Sequence, residues 1–197
     1  MRILVIGATG TIGKPVVEVL EQKGNEIVRV SHKSTSITVD ISDPKSIRAM
    51  YEKVGKVDAI VCAAGNAKFA PLAELADGDF EFSLHDKLMG QVNVVRFGFD
   101  HVNDGGSITV TSGVLSHTPM PGSAAISLVN AGLEGFTRAA ALEAPRGIRV
   151  NVVSPPWVAE TLVALKMDPS HGMPAAKVAL AYVRSVTGKE TGAVIEP

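Results

Sequence analysis

The chain opens MRILVIGATGTIG, an apolar run from Ile3 to Ile6 that passes straight into Gly7, Gly10 and Gly13. No other feature of its 197 residues limits the fold as much. A run without charge after Arg2 suits a central parallel strand buried on both faces. Gly7 permits a tight turn, Gly10 leaves room for a ligand against the backbone, and Gly13 lets the next helix lie close to the strand. That helix, predicted over residues 11–23 and stopped by Gly24, directs free N–H groups and the positive end of its dipole at the loop. Pyrophosphate oxygens suit such a place. Glycines at this spacing also occur in plain strand-to-helix turns. Their position between an apolar strand and a helix favours the phosphate reading.

Beyond the loop, strands and helices alternate. The pattern predicts strands near 2–6, 26–31, 37–39, 58–63, 107–111, 148–153 and 192–195. Helices are expected near 11–23, 44–54, 84–101, 123–143 and 174–187, with a loose stretch at 72–76. This order implies one doubly wound α/β domain over residues 1–197, a seven-stranded parallel sheet with helices on both faces. Asp43 and Pro44 supply an N-cap and a first-turn proline for the second helix. Ser31 to Ser36 is too short for a crossover helix, and Leu162–Gly172, with Pro169, reads as an irregular flap. Hydrophobic residues make up 46 % and aromatic ones only 5 %, so the core is Val, Ile, Leu and Ala. A chain of this size buries about 70 % of its unfolded surface.

The same numbers exclude several classes of function. A net charge of −1 argues against a nucleic-acid surface, and no apolar stretch reaches the roughly 20 residues of a membrane span. Cys62 is the one cysteine, which rules out an internal disulfide and reads as a small buried hydrophobe. With a strand beginning directly after Arg2 and no leader pattern, the expected location is the cytoplasm. No metal site is expected.

Six segments carry a family likeness: GATGTIG at 7–13, TVDISD at 38–43, CAAG at 62–65, GSITVTSG at 106–113, NAGLEGFTRAAALE at 130–143 and APRGIRVNVVSP at 144–155. Together they resemble the short-chain dehydrogenase/reductase family along essentially the whole chain. The resemblance implies a Rossmann-type domain holding a dinucleotide. Gly7, Thr9, Gly10, Thr11, Ile12 and Gly13 would meet its diphosphate, and Asp40 and Ile41 its adenine. Ala63, Ala64 and Gly65 stand where the family has Asn-Asn-Ala-Gly after the fourth strand, and Pro155, Val158 and Thr161 fall near the nicotinamide. Ser31, His32, Lys33 and Ser34 end the second strand without an acid, which favours a 2′-phosphate and hence NADP over NAD.

The catalytic signature departs from the family. Its Tyr and the Lys four residues later align with Ile126 and Asn130, and the chain's two tyrosines, Tyr51 and Tyr182, lie on helices that should not face a cofactor. Lys87 stands in Lys87-Leu88-Met89-Gly90 where the family carries an Asn, so Lys and Asn have exchanged places on neighbouring helices. Lys87 is therefore expected to enter the cleft, with Asn130 beside it. Ser112 takes the place of the carbonyl-binding serine, with Gly113 as the alternative register. His85 and His117 lie within sequence reach as acids. Pro156 replaces the glycine that the family has after the sixth strand, and Trp157 either lines a pocket or covers the sheet.

Two functions stay open. One is an NADP-dependent oxidoreductase acting on a small carbonyl or alcohol with an atypical site. The other is a dinucleotide-binding module without turnover, sensing redox state or a partner. The resemblance also implies a homodimer or tetramer through helices 84–101 and 123–143. The stripe Leu88, Val92, Val95 and Phe99 would serve that contact, or ordinary packing on the sheet.

Overall fold

A computed structural model describes all of residues 1–197. Seven strands form one wholly parallel sheet in the order β3-β2-β1-β4-β5-β6-β7. They are β1 Arg2–Ile6, β2 Glu26–Ser31, β3 Ile37–Thr38, β4 Val57–Cys62, β5 Val102–Thr111, β6 Arg149–Val153 and β7 Val194–Ile195. Helices α1 Gly13–Gln22 and α7 Ala175–Thr187 cover one face. On the other lie α2 Pro44–Val54, α4 Gly90–Gly98 and α5 Ala124–Glu143.

The strand period of two divides the core between these layers. Leu4 and Ile6 of β1 point into the α2/α4 side, while Ile3 and Val5 point into the α1/α7 side. A strand buried on both faces needs the uninterrupted apolar run seen in the sequence. At the start of α2, the Asp43 carboxylate accepts from Lys45 N–H at 2.9 Å, with Pro44 in the first turn. Residues 32–36, between β2 and β3, contain no helix.

Several boundaries differ from expectation. Helix 84–101 is three pieces, and its run starts earlier, with α3 at Asp77–Ser83. The Asp79 carboxylate accepts from Ala76 N–H at 3.0 Å, so the polar Asp77-Gly78-Asp79 cluster starts a helix instead of a loop. A π-helical segment, Leu84–Met89, joins α3 to α4. Strand β5 begins at Val102, where its register against β4 shifts between Val57 and Ala59. The stretch at 72–76 is a 3-10 turn over Leu72–Glu74, and the flap after β6 opens with a short helix, α6 Ala159–Ala164.

The proposed contact stripe also turns inward. Val92 and Val95 are buried within this one chain, Phe99 packs on the same core, and Leu88 lies against Gly132 of α5. No helix is long and apolar enough to cross a membrane.

Candidate active site

The first loop is built by backbone sterics. Gly7 has φ +84°, and a Cβ there would lie 2.7 Å from the Ala63 carbonyl oxygen. At Gly13 the conflict is harder, since a Cβ would fall 1.9 Å from the Gly7 carbonyl oxygen. Gly7 and Ala8 donate their N–H groups to the Val30 carbonyl, which locks the loop to β2. The N–H groups of Thr11 and Ile12 donate to no atom of the chain, and α1 starts without a side-chain cap. Unpaired donors at the positive end of a ten-residue helix fit a diphosphate.

Beside this loop runs a cleft of about 660 Å³. Gly7, Thr9, Gly10, Thr11 and Ile12 form one wall, and Ala63, Ala64 and Gly65 the other, with Ser31 and His32 at one end. A second cavity of about 310 Å³ continues past Ser31 and His32 to Asp40 and Ile41. Ser42 donates both its hydroxyl (2.7 Å) and its N–H (2.9 Å) to the Asp40 carboxylate. These bonds, the hydroxyl's first, hold that carboxyl below its ordinary pKa. Gly13 lies behind the loop, buried against Gly7. Lys33 and Ser34 stand outside both cavities on an exposed bend, where Ser34 N–H donates to the Ser31 hydroxyl at 2.9 Å.

At its other end the cleft meets a pocket of about 120 Å³. Lys87, Ile126, Trp157 and Thr161 line both spaces, and Ser112, Asn130, Pro155 and Val158 line the pocket alone. Thus Lys87 and Asn130, on different helices, share one site. Lys87 comes from the π-helical segment, an irregularity often found at functional sites. Its stem is held by Gly65, whose φ is +122° and where a Cβ would lie 3.1 Å from Lys87 Cα. Lys87 is only 9 % exposed. Its Nζ donates to the Ser112 carbonyl oxygen at 3.4 Å, and no carboxylate lies within ion-pair distance. Burial pushes its pKa down to about 8, against the opposing pull of the Asp86 carboxylate. Burial also pushes the Cys62 thiol up to about 12, so it stays protonated at neutral pH.

Ser112 corrects one expectation. It borders the pocket, yet its hydroxyl turns toward α5, lying 2.9 Å from Glu134 Oε1 and 3.2 Å from the Asn130 carbonyl. Ser116 (2.6 Å) and Ser154 (3.3 Å) also donate to that same carboxylate oxygen. Glu134 is 7 % exposed, a buried carboxylate held by three hydroxyls. The sequence reading missed it, although its place four residues after Asn130 puts both on one face of α5. Asn130 Nδ2 points to the Gly113 carbonyl at 3.4 Å.

The two histidines expected as acids, His85 and His117, stay outside. His85 Nδ1 contacts the Glu81 carbonyl at 2.9 Å, and His117 sits between Ser116 and Glu196; neither lines the cleft or the pocket. Both tyrosines are buried elsewhere: Tyr51 donates to the Val94 carbonyl at 2.7 Å, and Tyr182 pairs with Thr111 at 2.8 Å. Trp157 lines the cleft and packs edge-on against Phe69, which was likewise unforeseen as a cleft residue. No cluster of His, Cys, Asp or Glu suited to a metal ion is present.

A family model described as enoyl-(acyl carrier protein) reductase matches residues 8–195. The chain belongs to the short-chain dehydrogenase/reductase family. Among solved structures, this family member is similar to the protein lin1944 from Listeria innocua, at 43 % identity and a TM-score of 0.95, over 100 % of this chain and 98 % of that one. A small-chain dehydrogenase solved in complex with NADPH matches at 27 % identity and a TM-score of 0.88, covering 100 % of this chain and 96 % of that one. Hydroxynaphthalene reductase arp2 of Aspergillus fumigatus is 29 % identical over 157 residues, which are 77 % of this chain and 55 % of that protein. Oxidoreductase UcpA of Escherichia coli is 29 % identical over 147 residues, 71 % of this chain and 56 % of that protein. This dehydrogenase/reductase chain therefore spans little more than half the length of those two curated relatives.

Proposed function

We propose that the protein is an NADP-dependent oxidoreductase interconverting a small carbonyl compound and its alcohol, with Lys87 moving the proton. The observation that carries this reading is the place of Lys87, a buried amine at the junction of dinucleotide-sized cleft and small pocket. A bound nicotinamide dinucleotide supplies the hydride chemistry.

The chain's own residues supply the rest. Thr11 and Ile12 N–H groups at the head of α1 hold diphosphate oxygens, and Asp40 and Ile41 border the adenine. His32, with Lys33 on the adjoining bend, meets a 2′-phosphate, a choice supported by the NADPH complex of a relative. In the pocket, one Lys87 N–H is directed at the Ser112 carbonyl, which leaves other Nζ protons for a substrate oxygen. With its pKa near 8, Nζ can donate a proton in reduction and take one in oxidation close to neutral pH. Ile126, Pro156 and Trp157 keep water from the reacting carbon. A space of about 120 Å³ limits the reacting end to a few heavy atoms. Pairing of two copies through residues 84–101 and 123–143 belongs to the same reading, and exposed Met89 and Leu128 lie on those two stretches.

Two observations favour the second reading, a dinucleotide-binding module without turnover. No tyrosine hydroxyl lines the pocket, and the Ser112 hydroxyl faces α5. NADPH consumption with short aldehydes, ketones and quinones separates the two. Turnover is expected, with Lys87→Met lowering it by about 10²–10⁴-fold while NADPH binding, followed by fluorescence, remains. Tight binding with no turnover of any compound in the wild-type protein establishes the module instead.

A further inference from the structure

We infer that Lys87 is also a covalent capture site, whose amine takes short aldehydes as reversible imines. Few lysines meet the geometric needs of that chemistry. The nitrogen must be reachable by a small carbonyl compound, shielded from water and free of a counter-ion. Lys87 borders both the 120 Å³ pocket and the open cleft, so an aldehyde has a route in. Its one polar partner is the neutral Ser112 carbonyl at 3.4 Å. The ionisable groups facing it are Cys62, which stays a thiol, and Asp86, whose carboxylate is engaged by Asn66 N–H at 2.8 Å. Gly65 packs on the stem, so the side chain is held in place before any ligand arrives.

The depressed pKa adds to this geometry. Near pH 7.5 about a quarter of Lys87 is the free amine, against roughly one in a thousand for an ordinary lysine. The nitrogen lone pair bonds to the carbonyl carbon, and the C=O π pair moves to oxygen, which takes up the proton that nitrogen loses. The carbinolamine hydroxyl then leaves as water, its second proton balanced by loss of the remaining N–H proton as the nitrogen lone pair forms the C=N bond. No oxidant or reductant is needed. A pocket of about 120 Å³ suits a short aldehyde, and Ile126 and Trp157 in its lining offer apolar surface to the alkyl chain. Propanal is of that size. Capture competes with reduction, so short aldehydes become slow-onset inhibitors.

This inference shares with the proposed function the view that the pocket receives carbonyls, but its test requires no dinucleotide. The full chain is incubated with propanal and cyanoborohydride near pH 7.5, and peptide mass spectrometry follows alkylation lysine by lysine. Lys87 is expected to gain a propyl group more than about tenfold faster than exposed Lys33 or Lys68. In Lys87→Arg, labelling of the other lysines is expected to be unchanged. A Lys87 rate equal to or below that of Lys33 in the wild-type protein overturns the inference, whether or not the variant folds. NADPH turnover in the same preparation keeps the two proposals apart. Turnover without labelling removes only the imine, and labelling without turnover removes only the reductase.

Discussion

The two ends of the cleft are built by different means. At the first loop, glycines let main chain approach main chain, and ligand-binding capacity resides in backbone N–H groups. At the pocket, side chains from the π-helical segment, the β5 end, α5 and the β6 end converge on a few ångströms. The first end tolerates change in its side chains but none in its backbone. At the second, the chemistry we propose rests on one side chain, Lys87. That difference lets the phosphate loop be tested through its glycines and the pocket through Lys87, independently of each other.

Gly13→Ala tests the first end most severely. A methyl group 1.9 Å from the Gly7 carbonyl oxygen has no flexible neighbour to displace, so the loop and the start of α1 must separate. Loss of measurable dinucleotide binding is expected, with destabilisation of about 3 kcal/mol or more. Calorimetry and denaturant unfolding check both. Unchanged binding would show that the loop holds no phosphate, and the contrast between the two ends would collapse.

Lys87→Met should behave in the opposite way, losing turnover while gaining stability. The Lys87 pKa is about 8 in the folded chain against a reference of 10.5, so the unfolded state binds more protons between those values. Wild-type stability therefore rises with pH across that window and is flat below it, where the buried charge is a cost. The variant lacks that slope. Near pH 7 it is expected to be more stable by about 2 kcal/mol, as read from unfolding curves at several pH values. A wild-type curve without the slope would place the amine in water and remove it from the pocket.

Much of this was legible before the structure. The glycine spacing and the alternating elements follow from local sequence, because backbone sterics and hydrophobic period are local properties, and Lys87 and Asn130 do line one pocket. The π-helical segment was not legible, since one added residue in a helical turn leaves the apolar spacing almost unchanged. Nor was the direction of the Ser112 hydroxyl, which depends on a carboxylate 22 residues away. The stripe on α4 shows a third kind of limit. Its spacing states that a face is apolar but not what covers it, and here α2, β4, β5 and α5 all pack against that region.

Glu134→Gln is a smaller and sharper probe. It keeps an oxygen for the three serine hydroxyls but removes the charge, at about 1–2 kcal/mol of stability. Lys87 does not depend on Glu134 for its pKa, so the limb of kcat against pH near 8 is expected to stay where it is. A shift of that limb would instead make Glu134 part of the proton path.

Lys33→Ala has the smallest expected effect and bears on the adenine end. Lys33 stands on an exposed bend next to His32, so its charge acts through water and salt. A weakening of NADPH binding by about three- to tenfold is expected, with NADH affinity unchanged and the difference shrinking as salt is raised. His32 lies in the cleft wall itself, so a His32→Ala variant that keeps more discrimination than Lys33→Ala would move the 2′-phosphate contact out to the bend. Equal loss for both dinucleotides in both variants would mean that neither residue reads that phosphate.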